Sequence, residues 1–353
     1  MKTDDLAEHL FGSVLGALDV LSLHIGDQLG LYRLLHRRGP STVAEAAAGA
    51  GMQERYAREW LEQQTVAGLL EVDAPSLPAD ARRYSVPEEH VPVLVDPDSV
   101  AYFTPFARMV AAAAVQLPAL LTAYREGGGV GWSEYGALMR TAQADANRPL
   151  YLNLLGSEWL PAVPDVHQIL SEGGRVADVG CGEGWSSIGI ALSYPAATVT
   201  GFDVDADSVD AARGNAASYG LDDRVAFHLV DAAEAPGAGG FDLATAFECV
   251  HDLPDPVAVL AGARRLLKPG GTLVVMDERV PEEFTGPGDP VEQLMYGVSM
   301  LVCLPDGLSH EPSVGTGTVM RPAVLREYAE QAGFGSVEVL PIEHEMFRFY
   351  RLS

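Results

Sequence analysis

A short apolar run breaks into glycines in the segment VADVGCGEGWSS, Val176 to Ser187. Glycines stand at 180, 182 and 184, with Asp178 two residues before the first. A strand that ends in such a turn and passes into a helix brings bare backbone close to a ligand at the helix N-terminus. The dinucleotide fingerprint GxGxxG would place its third glycine at 185, where helix and strand must pack closely. That position is Trp185. The turn therefore suits a nucleotide-type ligand that lacks a pyrophosphate, and a nicotinamide dinucleotide is disfavoured.

The chain around this turn alternates between strand and helix. Candidate strands are RVADVG, TVTGFDV, VAFHLV, FDLATAFE, GTLVVMDE, VEVLP and FRFYRL, with helical stretches between most of them. This is the pattern of a doubly wound α/β sheet of seven strands, and it sets one domain over residues 166–353. Only Ile342 to Glu345 separate the last two strands, too few for a parallel crossover, so they should pair antiparallel.

Residues 1–90 read as a separate, mostly helical domain. FGSVLGALDVLSLHIGDQLGLYRLLHR has apolar residues at helical spacing, broken near Gly26 and Gly30. STVAEAAAGAGM opens with the capping-box pair Thr42 and Glu45 and closes in glycine. QERYAREWLEQQTVAGLLEVD is a third helix, with Tyr56, Trp60 and Leu61 expected on one side, and RYSVP is a wing strand. Together these suggest a winged helix. DNA is a poor partner for it, because residues 1–90 carry 8 basic against 14 acidic side chains. The would-be recognition helix sets Arg55 and Arg58 among Glu54, Glu59 and Glu62, where a groove-binding helix needs a positive face. Packing against a second subunit is the better use. Residues 91–165 form a helical connection and pocket segment, whose run REGGGVGWSEYG reads as a flexible hinge or lid.

The formal net charge of −26 over 353 residues repels phosphate backbones and anionic membranes. MKTDDLAEHL lacks the basic start and apolar core of a signal peptide, and MVAAAAVQLPALLTA is too short to span a bilayer. The three cysteines (Cys181, Cys249 and Cys303) show neither CxxC nor metal-ligand spacing, so no metal site is expected. The expectation is a cytoplasmic protein with no membrane or nucleic-acid partner.

The turn DVGCGEG resembles motif I of class I S-adenosylmethionine (SAM) methyltransferases, D/ExGxGxG. Three further features fall in the order that family has them. Asp203 ends the second strand in TGFDVD, Asp231 ends the third in HLVDAAE, and FECVHDLPDP follows the fourth, before LLKPGGTLVVMDE. The front half, in LGLYRLL and ERYAREWLEQQTVAGLL, resembles the N-terminal winged-helix dimerisation domain of bacterial small-molecule and natural-product methyltransferases. The resemblance implies a Rossmann-like seven-stranded fold with its last strand antiparallel, SAM as cofactor and S-adenosylhomocysteine as its product. It also implies a homodimer built through the N-terminal domain.

On this resemblance the cofactor lies against Asp178, Gly180, Cys181, Gly182, Gly184, Asp203, Val204, Asp231, Ala232 and Phe247. Asp178 receives the ammonium of the methionine moiety directly or through water, Asp203 the ribose hydroxyls, and Asp231 lies beside the adenine amino group. Cys181 contributes backbone and a small apolar volume. Transfer from a sulfonium needs alignment of the acceptor and, for a hydroxyl, removal of its proton. His251 is the candidate base, at the C-terminal end of the fourth strand, and Asp252 helps to position the acceptor. The pair resembles the His-Asp of plant-type O-methyltransferases, although this chain reads HDLPDP where that family commonly reads HDW. Asp255 and Pro256 read as N-cap and first turn of the next helix. His310 is a second base candidate, His167 a packing residue, Trp159 and Tyr135 a possible roof, and Met295, Tyr296, Met300 and Met320 pocket walls. O-methylation of a small molecule is favoured, N- and C-methylation stay open, and the alternatives are a SAM-binding regulator or an inactive SAM-fold protein.

Overall fold

The computed structural model describes residues 2–237 and 239–353. The chain divides into two compact units, one of residues up to Ala114 with Thr141–Pro149, the other of Val115–Arg140 with Leu150–Ser353. The 91–165 connection expected as a segment of its own is thus shared between the units, and one boundary falls inside the helix Trp132–Leu150.

The first unit begins with α1 (Thr3–Gln28), α2 (Leu31–Arg38), α3 (Val43–Ala50) and α4 (Glu54–Val66). The strands β1 (Glu71–Val72) and β2 (Tyr84–Ser85) pair antiparallel as a short wing. The break after α1 falls at Gly30, which takes φ +66, and not at Gly26. Gly26 lies within α1 for a different reason: a Cβ there would lie 2.2 Å from the Trp60 ring. The close approach lets the Trp60 indole nitrogen donate to the Ser22 carbonyl at 2.9 Å and its ring meet Tyr32 edge-on. The capping box forms as expected, Thr42 N–H donating to Glu45 Oε2 and Glu45 N–H to Thr42 Oγ1. Trp60 and Leu61 are buried, but Tyr56 is 73% exposed and leaves the expected common face. Arg55 pairs with Glu59 and Arg58 with Glu62 along α4, so its arginines are matched by its own carboxylates.

One side of α1 is apolar and uncovered in the chain. Phe11, Val14, Leu18, Leu21 and Ile25 are each at least 41% exposed, and they alternate at spacings of three and four. Among the described residues α1 is also the one unbent helix long and apolar enough by length and composition to cross a membrane.

The second unit holds a seven-stranded sheet made of β3 (Arg175–Val179), β4 (Thr198–Asp203), β5 (Val225–Leu229), β6 (Phe241–Phe247), β7 (Leu267–Glu278), β8 (Val337–Val339) and β9 (Phe347–Leu352). Their order is β5-β4-β3-β6-β7-β9-β8. The pairs from β5 to β7 are parallel, and β9 runs antiparallel to both β7 and β8. All seven expected strands are present, and the short link before β9 imposes the reversal. β3 is buried along all but its first residue, as a central parallel strand covered on both faces should be. The strand order reverses between β3 and β6, the switch point outside whose carboxyl ends ligands of open α/β sheets bind.

The glycine-rich run is packed from Gly129 onward, while Gly127 and Gly128 are exposed. Val130 N–H donates to the Pro305 carbonyl at 3.0 Å, Trp132 N–H to Asp306 Oδ1 at 2.7 Å, and Tyr135 OH to the Leu301 carbonyl at 2.7 Å. A Cβ on Gly129 would lie 1.9 Å from the Pro305 carbonyl oxygen. Close backbone packing, not a free hinge, accounts for that glycine.

At the centre of the sheet Asp178 is 1% exposed and accepts three hydroxyl hydrogen bonds. Ser186 and Ser187 donate to Oδ2 at 2.6 Å each, and Thr245 to Oδ1 at 2.7 Å. One side chain thereby ties β3 to the helix Trp185–Ser193 and to β6. Asp178→Ala would leave three buried hydroxyls without their acceptor, and we expect a loss of at least about 3 kcal/mol in chemical denaturation, with two-state unfolding of this unit.

Candidate active site

The glycine turn is held in place by backbone bonds to the end of β4. Gly180 and Cys181 N–H groups donate to the Phe202 carbonyl, and Gly182 N–H donates to Asp203 Oδ2 at 2.8 Å. All three glycines take positive φ, but for different ends. A Cβ at 180 would meet Cys249, and one at 184 would meet the Phe227 ring at 2.6 Å, so these two serve close packing. Gly182 has nothing within 4 Å of its Cβ position and opens onto free space. It is the position where a ligand can rest against bare backbone. Gly184 caps the helix Trp185–Ser193, and Trp185 lies edge-on to Tyr219, partly buried against the core.

Asp203 ends β4 with Oδ2 on Gly182 N–H and Oδ1 on Asp205 N–H. Each oxygen has a lone pair left, as a ribose diol acceptor requires. Burial raises its pKa, opposed by these backbone donors. Val230 N–H donates to the Asp203 carbonyl, which sets exposed Asp231 beside it at the end of β5, its Oδ1 capping Ala233 N–H. Val204 is exposed on the same rim and Ala232 is buried. Arg140, which no sequence motif marks, forks onto Asp205 at 2.6 and 3.3 Å and braces this corner.

Two expected cofactor contacts, Asp178 and Phe247, are buried. Asp178 accepts from Ser186, Ser187 and Thr245, which fixes it between strand and helix, and Oδ1 keeps one lone pair outside these bonds. Burial raises its pKa against those three hydroxyl bonds. The Phe247 ring is 5% exposed, stacks on Tyr151 with centroids 6.0 Å apart and belongs to the core. Cys181 is likewise core, as expected.

His251 and Asp252 lie in the short turn Val250–Asp252 that follows β6. Phe247 pairs with Met276 across β6 and β7, and this register brings the turn beside Asp277. His251 is 3% exposed, with Nδ1 2.8 Å from Asp277 Oδ1 and Nε2 3.3 Å from Asp252 Oδ1. Burial lowers the imidazole pKa, but the carboxylates of Asp252 and Asp277 outweigh it and raise the value well above the usual one. Asp277, 1% exposed, fixes which ring nitrogen carries the proton and leaves Nε2 toward Asp252. Sequence reasoning missed Asp277, because nothing in VVMDE marks one acid over another until the strands are in register.

Other groups gather here. Glu248, just after β6, has φ +51, a left-handed conformation unusual for a side-chain-bearing residue. Burial, then the charge of Glu248, raises the Glu278 pKa well above the usual range. Cys303 Sγ, a ring nitrogen of His251 and a carboxylate oxygen of Asp252 all lie within 4.8 Å of one another, a ligand cluster that the absence of a cysteine motif did not suggest. Asp255 caps the helix Pro256–Leu266 by accepting from Ala258 N–H at 2.9 Å, as expected. His310 is exposed, and His167 Nδ1 packs against Tyr194 OH at 2.9 Å. Trp159, Tyr135, Met295 and Met320 are buried, whereas Tyr296 and Met300 are exposed by 42% and 49%.

An open sheet of this order, with a glycine cradle at the end of its first strand and an acid at the end of its second, defines a class I SAM-dependent methyltransferase. Residues 170–303 match a family described as "Methyltransferase domain", and residues 17–95 one described as "Rv2258c-like winged HTH domain". The ubiquinone biosynthesis O-methyltransferase of Xanthomonas axonopodis pv. citri is 30% identical over 178 residues, covering 50% of this chain and 69% of that protein. The 27-O-demethylrifamycin SV methyltransferase of Amycolatopsis mediterranei is 33% identical over 150 residues, 41% of this chain and 55% of that protein. The matches span between 39% and 63% of the first three curated relatives. Among solved structures, the mitomycin 7-O-methyltransferase MmcR superposes with TM-score 0.72 at 20% identity, covering 99% and 98% of the two chains. Human N-acetylserotonin methyltransferase in complex with SAM superposes with TM-score 0.74 at 20% identity, covering 100% and 99%. The chain belongs to the SAM-dependent methyltransferase family, with a winged-helix domain in front.

Asp306, which accepts the Trp132 N–H, has its pKa raised to about 7 by burial and by the charge of Asp252. Its folded-state value exceeds the unfolded one, so the native state loses stability as pH climbs between the two and keeps that loss above the higher. Asp306→Asn retains the acceptor oxygen without the charge. It should melt at a higher temperature than the parent at about pH 8 and together with it at about pH 4, as thermal denaturation at the two values will show.

Proposed function

We propose that this protein transfers a methyl group from SAM to a hydroxyl of a small-molecule acceptor, with His251 as general base, as a cytoplasmic homodimer. The observation that carries the reading is the His251–Asp277 pair, set at the switch-point edge of a sheet whose glycine turn and Asp203 suit an adenosyl ligand. SAM supplies a methyl group on a sulfonium, already activated for displacement. Gly182 offers bare backbone to it, and Asp203 offers carboxylate lone pairs to its ribose. Asp231 stands on the rim for the adenine, beside Val204 and Ala232. Asp277 accepts the Nδ1 proton of His251, so in the neutral imidazole Nε2 is the nitrogen that takes the acceptor's proton. Asp252 flanks that nitrogen and orients the hydroxyl. The named relatives that methylate oxygen, in rifamycin, ubiquinone and mitomycin chemistry, support O-methylation over N- or C-methylation.

DNA regulation is the weaker reading, since the arginines of α4 already pair with Glu59 and Glu62. The exposed α1 stripe instead matches a helix–helix seam, whose apolar residues alternate at three and four. Free cysteines at 181, 249 and 303 fit a reducing compartment.

Calorimetry with SAM, S-adenosylhomocysteine and NAD tests the cofactor site. Binding of the two adenosyl ligands alone is expected, and binding of NAD in their place would sink the reading. His251→Ala should lower kcat for an accepted phenol or alcohol by about 10²–10⁴-fold with S-adenosylhomocysteine affinity unchanged, measured by turnover alongside titration. A double substitution, Phe11→Asp with Leu18→Asp, should convert a dimer to a monomer in light scattering without loss of cofactor binding.

A further inference from the structure

We propose that His251, Asp252 and Cys303 form a binding site for a soft divalent cation, with zinc as the preferred ion. The three come from two different segments. His251 and Asp252 share the turn Val250–Asp252, and Cys303 ends the π-helical stretch Ser299–Cys303. One ring nitrogen, one carboxylate oxygen and Sγ lie within 4.8 Å of one another. Zinc bonds to nitrogen, oxygen and sulfur imply edges of about 3.3–3.6 Å in a tetrahedron. The Nε2–Oδ1 separation of 3.3 Å already has that length, so Cys303 has little distance to close.

Two independent features favour a metal over a chance cluster. Asp252 Oδ1 is buried without a hydrogen bond of good geometry, 3.3 Å from Nε2 and beside the Cys303 thiol. His251 Nδ1 is held by Asp277 at 2.8 Å, the carboxylate–histidine arrangement that orients a ligating imidazole and makes its other nitrogen a better donor. A thiolate with an imidazole excludes magnesium and calcium as fitting ions and selects zinc or cobalt. Three protein ligands leave a fourth position for water or an acceptor oxygen. On binding, the Cys303 thiol proton, and any proton on Nε2, passes to solvent as the metal bonds form.

The assignment does not depend on the base role of His251, and the test separates them. Metal-free protein is titrated with cobalt(II), then with zinc. The expected result is one equivalent of cobalt with intense tetrahedral d–d absorption and a thiolate-to-cobalt charge-transfer band, all displaced by zinc. Cys303→Ser should abolish the charge-transfer band, and Asp277→Asn should weaken affinity by about 10–100-fold. Both variants are checked for S-adenosylhomocysteine binding to show that the domain is folded. No stoichiometric cobalt binding, weak octahedral absorption, or a charge-transfer band that survives Cys303→Ser would each overturn the site. Zinc binding that leaves methyl transfer unchanged supports the metal site and removes His251 from the role of base.

Discussion

Three hydroxyl bonds onto one buried carboxylate organise the second unit. Asp178 draws Ser186 and Ser187 of the helix after the glycine turn, and Thr245 of β6, onto the central strand. The turn between them can then take its left-handed glycines without drifting, because strand and helix are fixed on either side. Gly182 N–H on Asp203 carries the same restraint to β4, and Val230 N–H on the Asp203 carbonyl carries it to β5. A turn of bare backbone is thereby held by side chains of the surrounding strands and helix.

The other half of the site depends on strand register rather than on a turn. Phe247 opposite Met276 sets the residues after β6 against those at the end of β7. His251 meets Asp277 in consequence, and Glu248 adopts a strained backbone at the junction. Such strain persists only where its surroundings over-determine it. A one-residue slip between these strands would turn Asp277 to the opposite face and leave the imidazole without its orienting acid.

Much of this was legible in the chain. The seven strands, the antiparallel last strand, the capping box at Thr42 and Glu45, and the cap at Asp255 follow from local spacing and turn chemistry. Asp203 and Asp231 were readable because strand-end positions follow directly from strand boundaries. Other features rest on contacts the linear pattern does not contain. The hydroxyl bonds onto Asp178 come from partners 8, 9 and 67 residues away, two of them serines of no special appearance. The close packing of Gly129 was hidden because flexibility and close packing leave the same sequence mark.

Sequence alone determined which elements form and the family they build, since hydrophobic period, glycine placement and caps act over a few residues. Tertiary structure alone decided which acid stands behind His251, which glycine faces a ligand, and that Cys303 comes within reach of His251 and Asp252. Those outcomes join residues 26 to 52 positions apart in the chain. Their meeting is fixed by sheet register and helix packing, which no local propensity encodes.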